Sequence, residues 1–260
     1  MTINADKWTM IHGDTLLALR DLPSRSVDML LTDPPYSSGG MVRGDRMAST
    51  TSKYVRSNAS NKGHEFTGDS RDQRGYTAWC ALWLAECRRI LKPHAWAIVF
   101  TDWRQLPATT DAIQAGGFVW KGLLTWHKPS HRHVQGAVSY ACEFGVVGCN
   151  GPVDVSGPQI QGFYSESAPS DRQHQTQKPA GLMRHCLGLA RPGSTILDPF
   201  AGSGTTGAVA VAMGHRFIGI ELDDHYHRVA SDSLAGVTRD ASGVIQGTLP
   251  MQVHDADRVE

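Results

Sequence analysis

Ile196-Leu197-Asp198-Pro199-Phe200-Ala201-Gly202-Ser203-Gly204-Thr205-Thr206-Gly207, followed by Arg216-Phe217-Ile218-Gly219-Ile220-Glu221, is the stretch whose reading decides the fold. Thr195 to Asp198 reads as a buried strand, Gly202-Ser203-Gly204 as a turn, Thr205 to Met213 as a helix and the second run as a strand ending at Glu221. Glycines let the backbone approach a ligand closely, and the exposed amides at the helix start can hold a carboxylate. Glu221, at the end of the next strand, is placed to accept both hydroxyls of a ribose. The pattern predicts an α/β fold with a mostly parallel sheet. The spacing Gly202-x-Gly204-x-x-Gly207 also satisfies the dinucleotide fingerprint, so a nicotinamide oxidoreductase stands as a rival. A phosphate-loop NTPase is excluded, because no Lys-Ser/Thr follows the glycines.

Further towards the amino end, the apolar run Val27-Asp28-Met29-Leu30-Leu31-Thr32 stops abruptly at Asp33-Pro34-Pro35-Tyr36. This reads as a buried parallel strand entering a rigid turn. Neither proline donates a backbone hydrogen bond, and each holds the preceding residue extended, so Asp33 and the Pro34 carbonyl are expected to point outward at the strand's carboxyl end. Open α/β sheets bind ligands there. A carboxylate beside a bare carbonyl is a two-acceptor fork suited to a planar amino group, and Tyr36 can lie flat on the ring that carries the amine. The plainer alternative is a proline turn that only ends a strand.

Together these two stretches resemble the amino-methyltransferases of DNA, which pair an Asp-Pro-Pro-Tyr catalytic motif with a Phe-x-Gly-x-Gly cofactor loop. The catalytic motif comes first here, so the chain resembles the permuted (β) class, over about residues 10 to 226. The resemblance implies a Rossmann-like, S-adenosylmethionine-dependent methyltransferase fold with an antiparallel terminal strand. It implies catalytic Asp33, Pro34, Pro35 and Tyr36, and cofactor contacts from Asp14, Lys178, Asp198, Phe200, Ala201, Gly202, Ser203, Gly204, Thr205 and Glu221. Asp14, in a Gly-Asp position, is expected to reach the cofactor's adenine amine, and it also suits a helix N-cap. Lys178 ends the segment that in the family packs against the methionine part of the cofactor. No metal is needed. Asp at the head of the motif is typical of enzymes acting on adenine N6, and Ser of those acting on cytosine N4, so adenine in duplex DNA is the expected target, with cytosine N4 as the alternative. The target lies inside a duplex and must be flipped out, with Tyr36 as its stacking partner. A partner subunit that binds without catalysis is a further alternative, as are the protein-glutamine methyltransferases, which carry Asn-Pro-Pro-Tyr.

At 260 residues the chain suffices for one α/β domain with insertions. No apolar run reaches membrane-spanning length, and the first residues lack a signal peptide's basic and apolar regions, so the expectation is cytoplasmic. Five cysteines without C-x-x-C spacing read as buried free thiols. The net charge is zero but unevenly spread. Residues 37–75 carry seven Lys/Arg against four acids, as do residues 121–191, while residues 221–260 carry eight acids against three bases. Local fields attract a polyanion, so two basic insertions on a neutral scaffold fit nucleic acid.

Trp8 to Ile11 reads as a short strand, with a helical pattern at Leu16, Leu17 and Leu19. Ser37 to about Gly75 has no periodicity and reads as a flap that orders over DNA and cofactor. Tyr76 to Leu91 reads as a helix, with Trp79, Leu82 and Trp83 on its apolar face, ended by Pro93. Ala95 to Phe100 is a second buried strand; Asp102 and Trp103 after it either line the pocket or start a helix. Phe118 to Trp126 and Ala141 to Gly148 read as the terminal strands, an antiparallel pair joined by a DNA-facing loop, Lys128 to Tyr140. Asn150 to Gln177 has no period, Ala180 to Leu189 reads as a helix, and residues 236–260 as a flexible tail. The recognition region, within residues 128–177, is short, which favours a homodimer reading a near-palindromic site.

Overall fold

The computed structural model describes residues 7–36, 71–131, 135–136, 138–168, 178–239 and 245–246. Its main sheet has eight strands: β1 (Trp8–His12), β2 (Val27–Thr32), β3 (Leu91–Thr101), β4 (Val119–His127), β5 (Cys142–Cys149), β6 (Phe163–Ser165), β7 (Thr195–Asp198) and β8 (Arg216–Glu221), in the order β1-β8-β7-β2-β3-β5-β4-β6. The strands from β1 to β3 are mutually parallel, and β5 runs antiparallel to both its neighbours.

The antiparallel strand is therefore interior. The edge is occupied instead by β6, whose three residues pair parallel with Thr125, Trp126 and His127 of β4. Its sequence, Phe163-Tyr164-Ser165, is too short to show a strand period; pairing with β4 is what orders it.

Two apolar layers cover the sheet, and the strands supply them alternately, as a period of two requires. Leu30, Ala97, Val99 and Leu197 pack on one face under the helices α1 (Thr15–Ala18), α2 (Gln73–Ile90) and α3 (Leu106–Ala115). Met29, Leu31, Ile98, Phe100 and Ile196 pack on the other under α4 (Ala180–Leu187) and α5 (Thr205–Ala212), with α6 (Asp224–Ala235) adding Leu234. In α2 the buried stripe is Tyr76, Cys80, Trp83, Leu84, Cys87 and Ile90. Leu82 lies off it and is exposed, contrary to its expected place on the apolar face. The helix ends at Ile90, capped by Leu91, ahead of Pro93.

Residues 37–70, 132–134, 137 and 169–177 lie outside the described residues, and with them most of the expected flap and part of the recognition region. Of the expected tail, residues 236–239 and 245–246 are described, and Thr238–Arg239 pairs antiparallel with Ile245–Gln246. Among the described residues no helix is long and apolar enough to cross a membrane, and the five cysteines are free thiols.

What positions the site is the centre of the sheet. From β7 the chain crosses through α5 to β8 on one side, and from β2 through α2 to β3 on the other. The strand order reverses between β7 and β2, which opens a crevice at their carboxyl ends. Asp198 and Asp33 stand there.

Candidate active site

The crevice is a cavity of about 170 Å³. All the sequence-predicted site residues line it except Gly204. Met183, Phe100 and Trp79 are among the residues that add apolar wall to it.

The glycine turn joins β7 to α5. Gly204 has φ 84° and forms the helix N-cap; a Cβ there would lie 2.9 Å from Cβ and 3.0 Å from Cα of Ala230. Its smallness serves the seat of α5 against α6, and it does not line the cavity. Gly202, by contrast, has nothing within 4 Å of where a Cβ would stand. Its amide donates to Glu221 Oε2 at 2.8 Å, and the Asp223 amide donates to Glu221 Oε1 at 2.9 Å. Burial pushes Glu221 up from its ordinary value, against the pull of these amides. Each carboxylate oxygen keeps a second lone pair for a further donor.

Asp198 is almost fully buried and ties the crevice walls together. Its Oδ1 accepts from Thr32 Oγ1 at 2.7 Å and from the Phe200 amide at 3.1 Å. Burial raises it to about 6, although bonds from Thr32, Thr206 and Phe200 pull the other way. Thr32 was not picked out in the sequence, since a threonine at a strand end carries no signal of its partner. On the far wall Asp14 caps α1, accepting from the Leu17 amide at 3.2 Å, and also lines the cavity. Thr15 Oγ1 donates to the Pro199 carbonyl at 2.7 Å, anchoring α1 to the glycine turn.

Phe200 rests on two tryptophans of α2, with ring centroids 5.3 Å from Trp79 and 5.1 Å from Trp83. Trp83 is core, as expected. Trp79 is only half-buried, lines the cavity and carries the Arg71 guanidinium 4.1 Å over its ring. Asp102 and Trp103 lie outside the cavity lining. Asp102 Oδ1 accepts from the Arg104 and Gln105 amides, capping the turn that leads into α3, and Trp103 stacks on Tyr140 at 4.7 Å.

The catalytic-motif end holds a chain of charges. Lys178 Nζ donates to Asp33 Oδ2 at 2.5 Å and lies 3.2 Å from Glu143 Oε2, while Lys128 Nζ donates to Glu143 Oε1 at 2.8 Å. Lys178 thus sits on Asp33, beside the expected cofactor wall and nearest the motif; its ammonium is 5.7 Å from the centre of the Tyr36 ring. Burial alone would lower Lys178, but the two carboxylates outweigh it and hold it above its ordinary value. Burial alone would raise Glu143, but Lys178 and Lys128 outweigh it and hold it down. At Asp33 burial prevails over Lys178 and pushes the carboxyl up. The side chain still keeps 21% of its surface open, so the push falls short of that of full burial. Asp33 Oδ1 has no hydrogen-bond partner among the described residues. This buried acceptor belongs to a residue that lines the cavity and is open to a further donor.

A family model described as DNA methylase matches residues 27–147 and 150–232 of the chain, spanning the motif, the glycine turn and nearly all of the sheet. The chain belongs to the N6/N4 DNA methylase family. This removes the nicotinamide oxidoreductase rival. The methylase is 27% identical over 270 aligned positions to the type II methyltransferase M.HinfI of Haemophilus influenzae, covering 87% of this chain and 68% of that one. It is 29% identical over 230 positions to YubD of Escherichia coli (strain K12), named as a candidate methylase, covering 88% and 91%. Among solved structures, the PvuII DNA methyltransferase (cytosine-N4-specific) matches with a TM-score of 0.65 at 18% identity, covering 87% of this chain and 86% of that one. The M1.HpyAVI–SAM complex matches with a TM-score of 0.62 at 21% identity, covering 86% and 98%. Both share the methylase's mostly parallel α/β fold.

Proposed function

We propose that this DNA methylase transfers a methyl group from S-adenosylmethionine to the N6 amine of adenine, with Asp33 as the acceptor that orients the amine. The observation that carries the reading is the buried, open Oδ1 of Asp33, set in one cavity with the Gly202 turn and Glu221. The cofactor fits these residues: the space over Gly202 admits a close ligand, Glu221 has lone pairs for ribose hydroxyls, and Asp14 stands at the rim for an amine. When bound, S-adenosylmethionine supplies an electrophilic methyl group.

The chain's own residues do the rest. An exocyclic amine on a purine is a poor nucleophile, because its lone pair is delocalised into the ring. Hydrogen bonds from it to Asp33 Oδ1 and the Pro34 carbonyl favour a pyramidal nitrogen whose lone pair is available, and hold it in place. Tyr36 stacks on the flipped base. One amine proton leaves to solvent, so Asp33 need not be a strong base. In the same reading residues 37–75 and 128–177 are insertions in a single catalytic domain that contact DNA, and two copies together read a near-palindromic site.

A second reading, cytosine N4, is supported by the fold's likeness to the cytosine-N4-specific PvuII enzyme. The fork suits either amine, and the Asp at the head of the motif favours adenine. Labelled S-adenosylmethionine and unmethylated duplex DNA, followed by digestion and mass spectrometry of the nucleosides, tests the choice. N6-methyladenine is expected; N4-methylcytosine alone overturns the base assignment, and no transfer overturns the reading.

A further inference from the structure

Asp33 and the charges that continue from it come from four separate places: the end of β2, the segment ahead of α4, the start of β5 and the loop after β4. They alternate in sign from Asp33 through Lys178 and Glu143 to Lys128. A carboxylate in contact with one ammonium is nearly neutral when viewed from beyond the pair, because opposite unit charges at that separation cancel. Such a pair can still orient an amine. It cannot steady the positive charge that grows on the nitrogen as the new bond forms. Glu143 changes this balance. It shares the ammonium, so that two carboxylates and one ammonium leave one negative charge in the group nearest the site. Lys128 closes the chain at its outer end, where its side chain is 22% exposed and water screens it more than it screens Lys178, at 5%.

We propose that Glu143, acting through Lys178, is a positioning residue: it keeps a negative field at Asp33, while Lys178 occupies Oδ2 and leaves Oδ1 as the carboxylate oxygen that accepts from the target amine, beside the Pro34 carbonyl. The inference rests on the reading of Asp33 as that acceptor. The geometry has a second support. Lys178 is buried with carboxylates on two sides, and burying an ammonium requires such compensation. One carboxylate would have sufficed for pairing. The second reaches it from a different strand and is itself paired, by Lys128.

The charged and titratable groups facing Asp33 are Lys178, Glu143, Asp198 at the end of β7 and Tyr76 on α2. Glu143 raises Asp33 and Lys178 lowers it. Substituting the two must therefore move the protonation of Asp33 in opposite directions, which a merely structural role would not do.

The test measures kcat for methyl transfer to duplex DNA as a function of pH, and the dissociation constant of S-adenosylmethionine by calorimetry, for the full chain. Glu143→Gln is expected to lower kcat at least tenfold, about 1.4 kcal/mol, with cofactor binding within about threefold. Its acid limb moves to lower pH. Lys178→Met moves the acid limb to higher pH, and Glu143→Asp recovers part of the lost kcat. Wild-type kcat in Glu143→Gln, or acid limbs that move in the same direction, overturns the proposal. If Lys178→Met does not fold, the kcat and acid limb of Glu143→Gln decide alone. A wild-type chain that binds the cofactor but transfers no methyl group overturns the reading of Asp33, and this inference with it.

Discussion

Replacing Asp198 by Asn should stabilise the protein increasingly as the pH rises. Asp198 is 3% exposed, and burial raises its carboxyl from the ordinary 3.8 to about 6. The folded protein therefore holds this proton more tightly than the unfolded chain. The stability tied to the proton is complete below about pH 3.8, declines as the pH rises towards 6 and is flat above it. The rise of about 2.2 in pKa corresponds to about 3 kcal/mol of strain from the buried charge above pH 6, at about 1.36 kcal/mol per unit. At pH 5 roughly half of that is felt, because the folded carboxyl is still mostly protonated. Asn has no charge to bury at any pH. It weakens the bonds from Thr32 and the Phe200 amide by an amount that does not depend on pH, so the informative quantity is the change with pH. Urea unfolding of wild type and Asp198→Asn at pH 5 and pH 8, compared pairwise, should show the variant gaining about 1.4 kcal/mol on wild type between the two. Every other titrating group is common to both proteins and cancels, except for the smaller contribution of Asp33, which is coupled to Asp198. A difference that stays constant across this range, or shrinks as the pH rises, would refute the reasoning that burial governs Asp198.

Asp33→Ala should abolish methyl transfer while leaving S-adenosylmethionine binding within about tenfold, or 1.4 kcal/mol, as seen by single-turnover assay and calorimetry; retained turnover would remove Asp33 from the mechanism. Glu221→Gln puts an NH₂ group where one of two backbone amides now donates, so the cofactor's dissociation constant should rise at least about tenfold; unchanged affinity would detach Glu221 from the ribose. Gly207→Ala would set a Cβ 2.5 Å from Cε1 and 2.6 Å from Cδ1 of the Phe217 ring. Overpacking there costs about 1–3 kcal/mol, offset by about 1 kcal/mol of helix propensity. A lower thermal midpoint is expected, and an unchanged or higher one would show that α5 and Phe217 are not in tight contact.

Much of this protein is written in short contiguous stretches. An apolar run of six residues ended by two prolines, a glycine turn between strand and helix, and an acid at the end of the following strand are each local patterns, because backbone preference and the period of burial act within a few residues. From them the sequence alone determined the mostly parallel α/β class, the strands β2, β7 and β8 to within a residue, the glycine turn and two residues, Asp33 and Glu221, that line one cavity. What it could not determine is which distant residues meet. Asp198 and Thr32 are hydrogen-bonded across 166 positions because β7 and β2 are neighbours in the sheet. Nothing local to either residue specifies that pairing. The task of Gly204 became clear only when Ala230 was found against it, and Trp79 separated from Trp83 only when one side of α2 was seen to face the cavity. The charge chain is the plainest case. Among 25 basic and 25 acidic residues, no spacing marks Lys178, Glu143 and Lys128 as the chain of partners that starts at Asp33. Coulombic partners are chosen by proximity in space, and only the folded sheet, with β5 inserted between β3 and β4, brings those three side chains to the end of β2.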